Sequence, residues 1–263
     1  MPLPGDLLTA LTALAHKAGV EVMKVYAEPV QAATKADLTP VTEADLAAER
    51  VILEGLKALA PDVPVISEEA ASQGRIPAVA HEFFLVDPLD GTREFISRNG
   101  EFTINIALIR DGAPVAGVVY APAIARMFRG EAGKGAEQAK LGHEDKPASA
   151  GWRAIRAFPL PATHLRVVAS RSHRDAETDA FLATRKVGEL VAAGSSLKFC
   201  LIAAGEADLY PRFGRTMEWD TAAGHAVLAA AGGKVTLADE KTPLHYGKAE
   251  RGYDNPAFIA WGA

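Results

Sequence analysis

Cysteine is nearly missing from the 263-residue chain; Cys200 stands alone. No disulfide can form within the chain and no zinc site can rest on several thiolates. A reducing compartment, the cytoplasm, fits that usage. A basic excess is also lacking. With 28 basic and 33 acidic side chains, the formal net charge is −5. That argues against a protein living on nucleic-acid backbones, so no nucleic-acid partner is expected. Small phosphorylated ligands are not excluded, because a few local cations or metal ions outweigh a mild global charge. Long apolar runs are missing too. Residues 226–231 form one of the longest, far short of the roughly 20 needed to span a bilayer. No integral membrane segment is expected, while peripheral contact with an inner membrane stays open. Residues 1–6 carry no basic stretch leading into an apolar run, so no secretory signal is expected.

What is present is enough for a core. Hydrophobic residues make up 49% and charged residues 23%, which excludes wholesale disorder. At about 150 residues per domain, the length allows one large domain or two closely joined halves. Apolar spacing predicts a helix over residues 6–26, and Thr42 reads as the N-cap of a second. A short strand at Val65-Ile66 leads into Ser67-Glu68-Glu69, residues 70–81 read as loop, and residues 83–86 form a strand ending on Asp87. Residues 103–109 and 115–120 read as an antiparallel hairpin, continued by residues 126–128. Residues 140–163 read as a linker rich in Pro, Gly and Ala. Beyond it, strands at 164–170, 186–191, 208–210 and 234–237 alternate with helices at 175–184, 195–204 and 221–231. The expected fold is therefore α+β with an antiparallel sheet over residues 1–150, and α/β with a mostly parallel sheet over residues 151–263.

The chemistry concentrates in Asp87-Pro88-Leu89-Asp90-Gly91-Thr92. A strand delivers Asp87 to a turn that Pro88 stiffens. Asp90 follows three positions on, so both carboxylates can face one side. Carboxylates held close repel unless a cation lies between them, and hard cations such as Mg²⁺ prefer such oxygens. Gly91 permits close backbone approach. Thr92 places a hydroxyl at the start of a short helix, where free N–H groups suit a phosphate. Taken alone, the motif is equally well an Asp-rich turn capping a helix. Glu68-Glu69 alone is a solvated acidic loop, Asp220 in Trp219-Asp220-Thr221 an N-cap, and Asp45 a first-turn acid favoured by the helix dipole.

As a set, these residues resemble the inositol monophosphatase-like, lithium-sensitive phosphatases over nearly the whole chain. Further stretches are most similar to the bacterial CysQ-type 3′(2′),5′-bisphosphate nucleotidase branch. They include Arg98-Asn99-Gly100-Glu101-Phe102-Thr103, Ser170-Arg171-Ser172-His173, Gly194-Ser195-Ser196-Leu197-Lys198-Phe199-Cys200 and Tyr210-Pro211-Arg212-Phe213-Gly214. The resemblance implies a layered α-β-α-β-α sandwich and a magnesium cofactor of two or three ions. Glu68, Asp87 and the Leu89 carbonyl would hold a first ion, with Asp87 bridging to a second held by Asp90 and Asp220. Glu68 and Thr92 would orient the attacking water, Asp45 would fix Thr92, and Glu69 would add supporting charge. Gly91 and Thr92 amides would meet the phosphate of the substrate.

Inositol-specific relatives carry an acidic residue near the Trp-Asp pair. Arg212 stands there instead and favours a second phosphate, with Ser195 and Lys198 adding to the substrate site. Residues 170–173, with His173, lie at a strand end where ligands bind in α/β layers. Each also has a plain reading: a surface salt bridge for Arg212, a solvated helix face for Lys198, a loop histidine for His173. Cys200 reads as core. The implied activity is Mg²⁺-dependent removal of the 3′-phosphate of adenosine 3′,5′-bisphosphate, or of its sulfated analogue, by a monomer or homodimer. The alternatives are inositol-1-phosphate or fructose-1,6-bisphosphate hydrolysis on the same machinery, or a non-catalytic metal- or phosphate-binding module.

Overall fold

A computed structural model describes residues 6–28, 32–34, 40–79, 81–169 and 176–263. The Ser170-Arg171-Ser172-His173 stretch, with His173, lies outside the described residues. The chain begins with α1 (Leu7–Ala27), a two-stranded ribbon β1 (Ala32–Thr34) and β2 (Pro40–Thr42), and α2 (Glu43–Leu59). Then come β3 (Val65–Ser67), α3 (Glu68–Ser72), β4 (Glu82–Asp90) and α4 (Thr92–Ile96). A meander follows: β5 (Thr103–Arg110), β6 (Ala113–Ala121), β7 (Arg126–Glu131), β8 (Gly135–Lys140) and β9 (Arg153–Ile155). The rest is β10 (Leu165–Ala169), α5 (Ala176–Ala183), β11 (Val187–Ala192), α6 (Leu197–Ala203), β12 (Leu209–Arg212), α7 (Glu218–Ala230), β13 (Lys234–Leu237) and β14 (Phe258–Trp261).

Strands β3 to β9 form a seven-stranded sheet in chain order, antiparallel except for the parallel β3–β4 pair. Its strands alternate side chains between two buried faces. Phe84, Val86, Ile104, Ile106 and Val118 pack under α1 and α2. Phe83, Leu85, Ala107, Ile109 and Val119 pack against α6 and α7. Helix α7 lies close to this sheet because Gly117 has no side chain; a Cβ there would stand 2.6 Å from the Ala223 carbonyl. On the far side of α6 and α7 sits the second sheet, ordered β11-β10-β12-β14-β13. Val167, Leu209 and Ile259 pack against Leu182 of α5. The implied five-layer α-β-α-β-α sandwich is the observed one.

Several local expectations are corrected. The second sheet is mixed: β10 runs parallel to β11 and β12, while β14 runs antiparallel to both β12 and β13. The final strand inserts between two earlier ones, and a pairing so distant in sequence leaves no local signal. Residues 140–163 are more than a linker, since β9 adds an edge to the first sheet beside β8. Residues 68–72, partly read as loop, are helical. Helix α7 begins at Glu218 rather than Thr221. Among the described residues no helix is long and apolar enough to cross a membrane.

Candidate active site

The aspartate motif is a distorted strand end rather than a free turn. Strand β4 pairs with β5 through Asp87, and the register shifts before Asp90 pairs with Thr103. Pro88 has no N–H to give the ladder, and the Leu89 amide instead donates to Asp87 Oδ1 at 3.0 Å. Gly91 then takes a φ of 91°, in the left-handed region that a side chain disfavours. A Cβ there would also lie 2.4 Å from Ser195 Oγ. Helix α4 has only five residues, so it makes a weaker anion site than a long helix start.

The chain folds Glu68, Asp87, Leu89, Asp90, Gly91, Thr92, Ser195, Lys198, Arg212 and Asp220 around one cleft of about 350 Å³. All are residues expected from the sequence. Asp45 stands behind the cleft. Its Oδ1 accepts from Thr92 Oγ1 at 3.2 Å, and its Oδ2 accepts from the Thr42 amide at 2.8 Å and Thr42 Oγ1 at 2.6 Å. One buried carboxylate thus caps α2 and orients Thr92. Glu69 is buried too.

Asp220 is not an N-cap. It is the third residue of α7, and its Oδ2 accepts from the Met217 amide at 2.9 Å and Thr216 Oγ1 at 2.8 Å. Ser195 bends sharply at φ 50°. Its Oγ reaches the Asp90 carbonyl at 2.8 Å and the Glu101 carbonyl at 3.0 Å, pinning the α6 entrance to the end of β4. Lys198 is buried rather than on a solvated face, with Nζ 5.4 Å from the Tyr210 ring centre. Arg212 is no surface ion pair. Its Nη2 donates to the Arg215 carbonyl at 2.7 Å, and its Nε is buried with no hydrogen-bond partner among the described residues. Cys200 is core, as expected.

Several cleft residues escaped the sequence reading, including Arg93, Arg215, Thr216 and Met217. Asn105, whose Nδ2 lies 3.5 Å from Asp90 Oδ2, also went unread. So did Glu49, which accepts from Ser67 Oγ at 2.5 Å and from the Ala70 amide at 3.0 Å and so sets the entry to α3. Its one sequence signal is its place a helical turn after Asp45 on the same face of α2.

The electrostatics are unbalanced. Burial, then the charges of Glu68, Asp90 and Asp220, push the Asp87 carboxyl well above the ordinary range. Burial raises Asp90 to about 6 against the pull of Lys198. Burial and the Asp90 charge raise Asp220 to about 7. Burial lowers Lys198 to about 8. Among the described residues, no three His, Cys, Asp or Glu side chains are already gathered into a metal cage. The donor set suits a hard divalent cation: it is all oxygen, with Asp87 buried and its neighbouring carboxylates repelling one another.

A model of the inositol monophosphatase family matches residues 5–259. The chain belongs to that family. A 3′(2′),5′-bisphosphate nucleotidase CysQ from Shigella flexneri is 46% identical over 254 residues, covering 96% of this chain and 98% of the relative. The protein of that name from Escherichia coli K12 is 47% identical over the same shares. Among solved family structures, CysQ from Bacteroides thetaiotaomicron superposes with a TM-score of 0.77 at 38% identity, covering 96% of each chain. An inositol monophosphatase from Anabaena superposes with a TM-score of 0.71 at 26% identity, covering 97% of this chain and 89% of that one. The family resemblance read from the motifs is borne out.

Proposed function

We propose that this family member is a 3′(2′),5′-bisphosphate nucleotidase that hydrolyses the 3′-phosphate of adenosine 3′,5′-bisphosphate, giving AMP and phosphate. The sulfated analogue would be cleaved in the same way. The observation that carries the reading is the pairing of Glu68, Asp87, Asp90 and Asp220 with Lys198 and Arg212 around one cleft. An acidic wall without cations would suit a metal alone. A wall that adds a buried lysine and an arginine with an uncommitted N–H suits a ligand carrying a second phosphate. The names of the CysQ relatives point the same way.

Glu68, Asp87, Asp90, Asp220 and the Leu89 carbonyl would hold Mg²⁺, in two or three ions. When bound, Mg²⁺ supplies Lewis acidity at the attacking water and at the leaving oxygen. The chain's own groups do the rest. Thr92 donates its hydroxyl hydrogen bond to Asp45, which leaves its lone pairs to accept a hydrogen bond from the water and aim it. Glu68 accepts the other hydrogen bond of that water and takes that one proton as the water attacks, while the leaving 3′ oxygen takes a proton from solvent. The amides of Gly91 and Thr92 meet the phosphoryl oxygens. Lys198 and Arg212 hold the phosphate that does not react.

Phosphate release with Mg²⁺ tests this on adenosine 3′,5′-bisphosphate, inositol 1-phosphate and fructose 1,6-bisphosphate side by side. The nucleotide is expected to give the highest kcat/KM. A higher value on either sugar phosphate would sink the nucleotidase reading.

A further inference from the structure

Asp220 is aimed by donors that do not hold themselves in place. Both of them, the Met217 amide and Thr216 Oγ1, belong to the irregular segment between β12 and α7. Both fall on Oδ2, so among the described residues Oδ1 is the oxygen left to the cleft. What fixes that segment comes from the far end of the chain. Asn255 is buried to 5% exposure. Its amide N donates to the Thr216 carbonyl at 2.9 Å. Its side-chain Nδ2 donates to the Met217 carbonyl at 2.9 Å and to Thr221 Oγ1 at 3.1 Å. Two successive carbonyls are thus gripped by one residue, and the N–H between them is the one directed at Asp220. The Met217–Asp254 bridge and the Glu218 amide on the Tyr253 carbonyl at 2.9 Å hold Asn255 in register.

We propose that Asn255 is a positioning residue for Asp220, acting through the Thr216–Met217 peptide and the Thr216 hydroxyl. The proposal rests on the reading of Asp220 as a Mg²⁺ ligand. Residues that orient a ligand from behind change metal affinity by about 10- to 100-fold when removed, and they do so without touching the substrate. The neighbouring Tyr246 makes the comparison possible. Its Oη reaches Thr221 Oγ1 at 3.3 Å and His225 Nδ1 at 3.0 Å, but neither Thr216 nor Met217.

The test uses the full chain and two readouts besides turnover: calorimetric titration with Mg²⁺ alone, and hydrogen exchange of the Met217 amide in metal-free protein. Asn255→Ala is expected to weaken Mg²⁺ binding about tenfold and to speed Met217 exchange. KM for the bisphosphate at saturating Mg²⁺ is expected to stay unchanged while kcat falls. Tyr246→Phe is expected to lower the Tm and leave Mg²⁺ affinity alone. If Asn255→Ala does not fold, Asn255→Ser, which keeps one donor, takes the same readouts. Wild-type Mg²⁺ affinity and Met217 exchange in the Asn255 variant would overturn the proposal. So would an equal loss of Mg²⁺ affinity in Tyr246→Phe, which would reduce Asn255 to general packing. A wild-type protein that binds Mg²⁺ but cleaves no bisphosphate defeats only the nucleotidase reading, and these two readouts still decide the role of Asn255. A wild-type protein that binds no Mg²⁺ overturns both.

Discussion

Thr92 Oγ1 lies 3.2 Å from Asp45 Oδ1, across 47 positions of sequence. The same carboxylate closes the first turn of α2 through Thr42. In the proposed reading, water orientation and helix capping therefore draw on different oxygens of one side chain, and two substitutions separate them. Thr92→Val removes the hydroxyl and spares the cap. It is expected to lower kcat about 100-fold, within the range for a lost proton-handling group, with stability changed by no more than about 1 kcal/mol. Asp45→Ala should lose activity to a similar degree and a further ~1 kcal/mol of stability from the cap. Steady-state kinetics and urea unfolding check both; equal stability losses in the two variants would contradict this division.

Metal removal tests the acidic wall. Asp90 and Asp220 rise from an ordinary value of 3.8 to about 6 and about 7. A carboxyl whose value is raised by folding binds more protons in the native state. The metal-free protein should therefore lose stability as pH climbs from about 4 to about 7. Mg²⁺ at 100 times its Kd should restore about 2.7 kcal/mol. Asp87→Asn removes one buried charge, so its metal-free Tm at pH 8 is expected to exceed that of the metal-free wild type. Its response to Mg²⁺ should shrink. Scanning calorimetry with and without chelator measures both, and a metal-free variant less stable than the wild type would count against the repulsion.

The legible part of the molecule was whatever sits close together in the chain. Asp87, Asp90 and Thr92 announce themselves because a proline and a glycine separate them within six residues. The meander was readable from its turns. The continuous run Phe83-Phe84-Leu85-Val86 reads as a strand, yet nothing in it says that both faces are covered, one by α1 and α2 and the other by α6 and α7. Asp220 stands out in the sequence, but Glu218 and Trp219 look like flanking loop, so spacing places the helix start at Thr221 where the structure has it at Glu218. Glu218 is fully buried and accepts the Gly247 amide at 2.7 Å and the Lys248 amide at 2.9 Å. Asn255 was invisible for the same reason: its partners lie more than 30 positions away. Local chemistry is written in spacing, whereas the groups that aim it are set by which distant segments the fold brings together.

In the proposed reading, the cationic wall of Lys198 and Arg212 carries the substrate choice. Lys198→Met is close in volume and removes the charge, and Arg212→Met removes the fork with its buried Nε. Each is expected to raise KM for adenosine 3′,5′-bisphosphate about tenfold or more, since a charge-assisted hydrogen bond is worth roughly 1.5–3 kcal/mol. Hydrolysis of adenosine 3′-monophosphate, which lacks the second phosphate, should change little. Parallel kinetics on the two substrates decide the point, and equal losses on both would remove these residues from recognition of the second phosphate.

His225 gives the fold an acid limit independent of the cleft chemistry. It is buried on α7 with Nδ1 3.0 Å from Tyr246 Oη. Burial, then the charge of His245, lowers it from 6.5 to about 3. The native state keeps the ring neutral, while the unfolded chain protonates it below about pH 6.5. The unfolded state therefore binds more protons between pH 6.5 and about 3, and stability falls as pH drops through that window. The slope from this one group approaches about 1.4 kcal/mol per pH unit. The acidic wall works in the opposite direction in metal-free protein, so the measurement belongs in saturating Mg²⁺, where those carboxylates stay ionised. His225→Gln keeps a polar partner for Tyr246 and has nothing to titrate. The difference in unfolding free energy between wild type and variant should be flat above pH 7 and move in favour of the variant as pH falls from 6.5 to 4.5. A difference that stays constant across that range would mean that His225 gains its proton without leaving the fold.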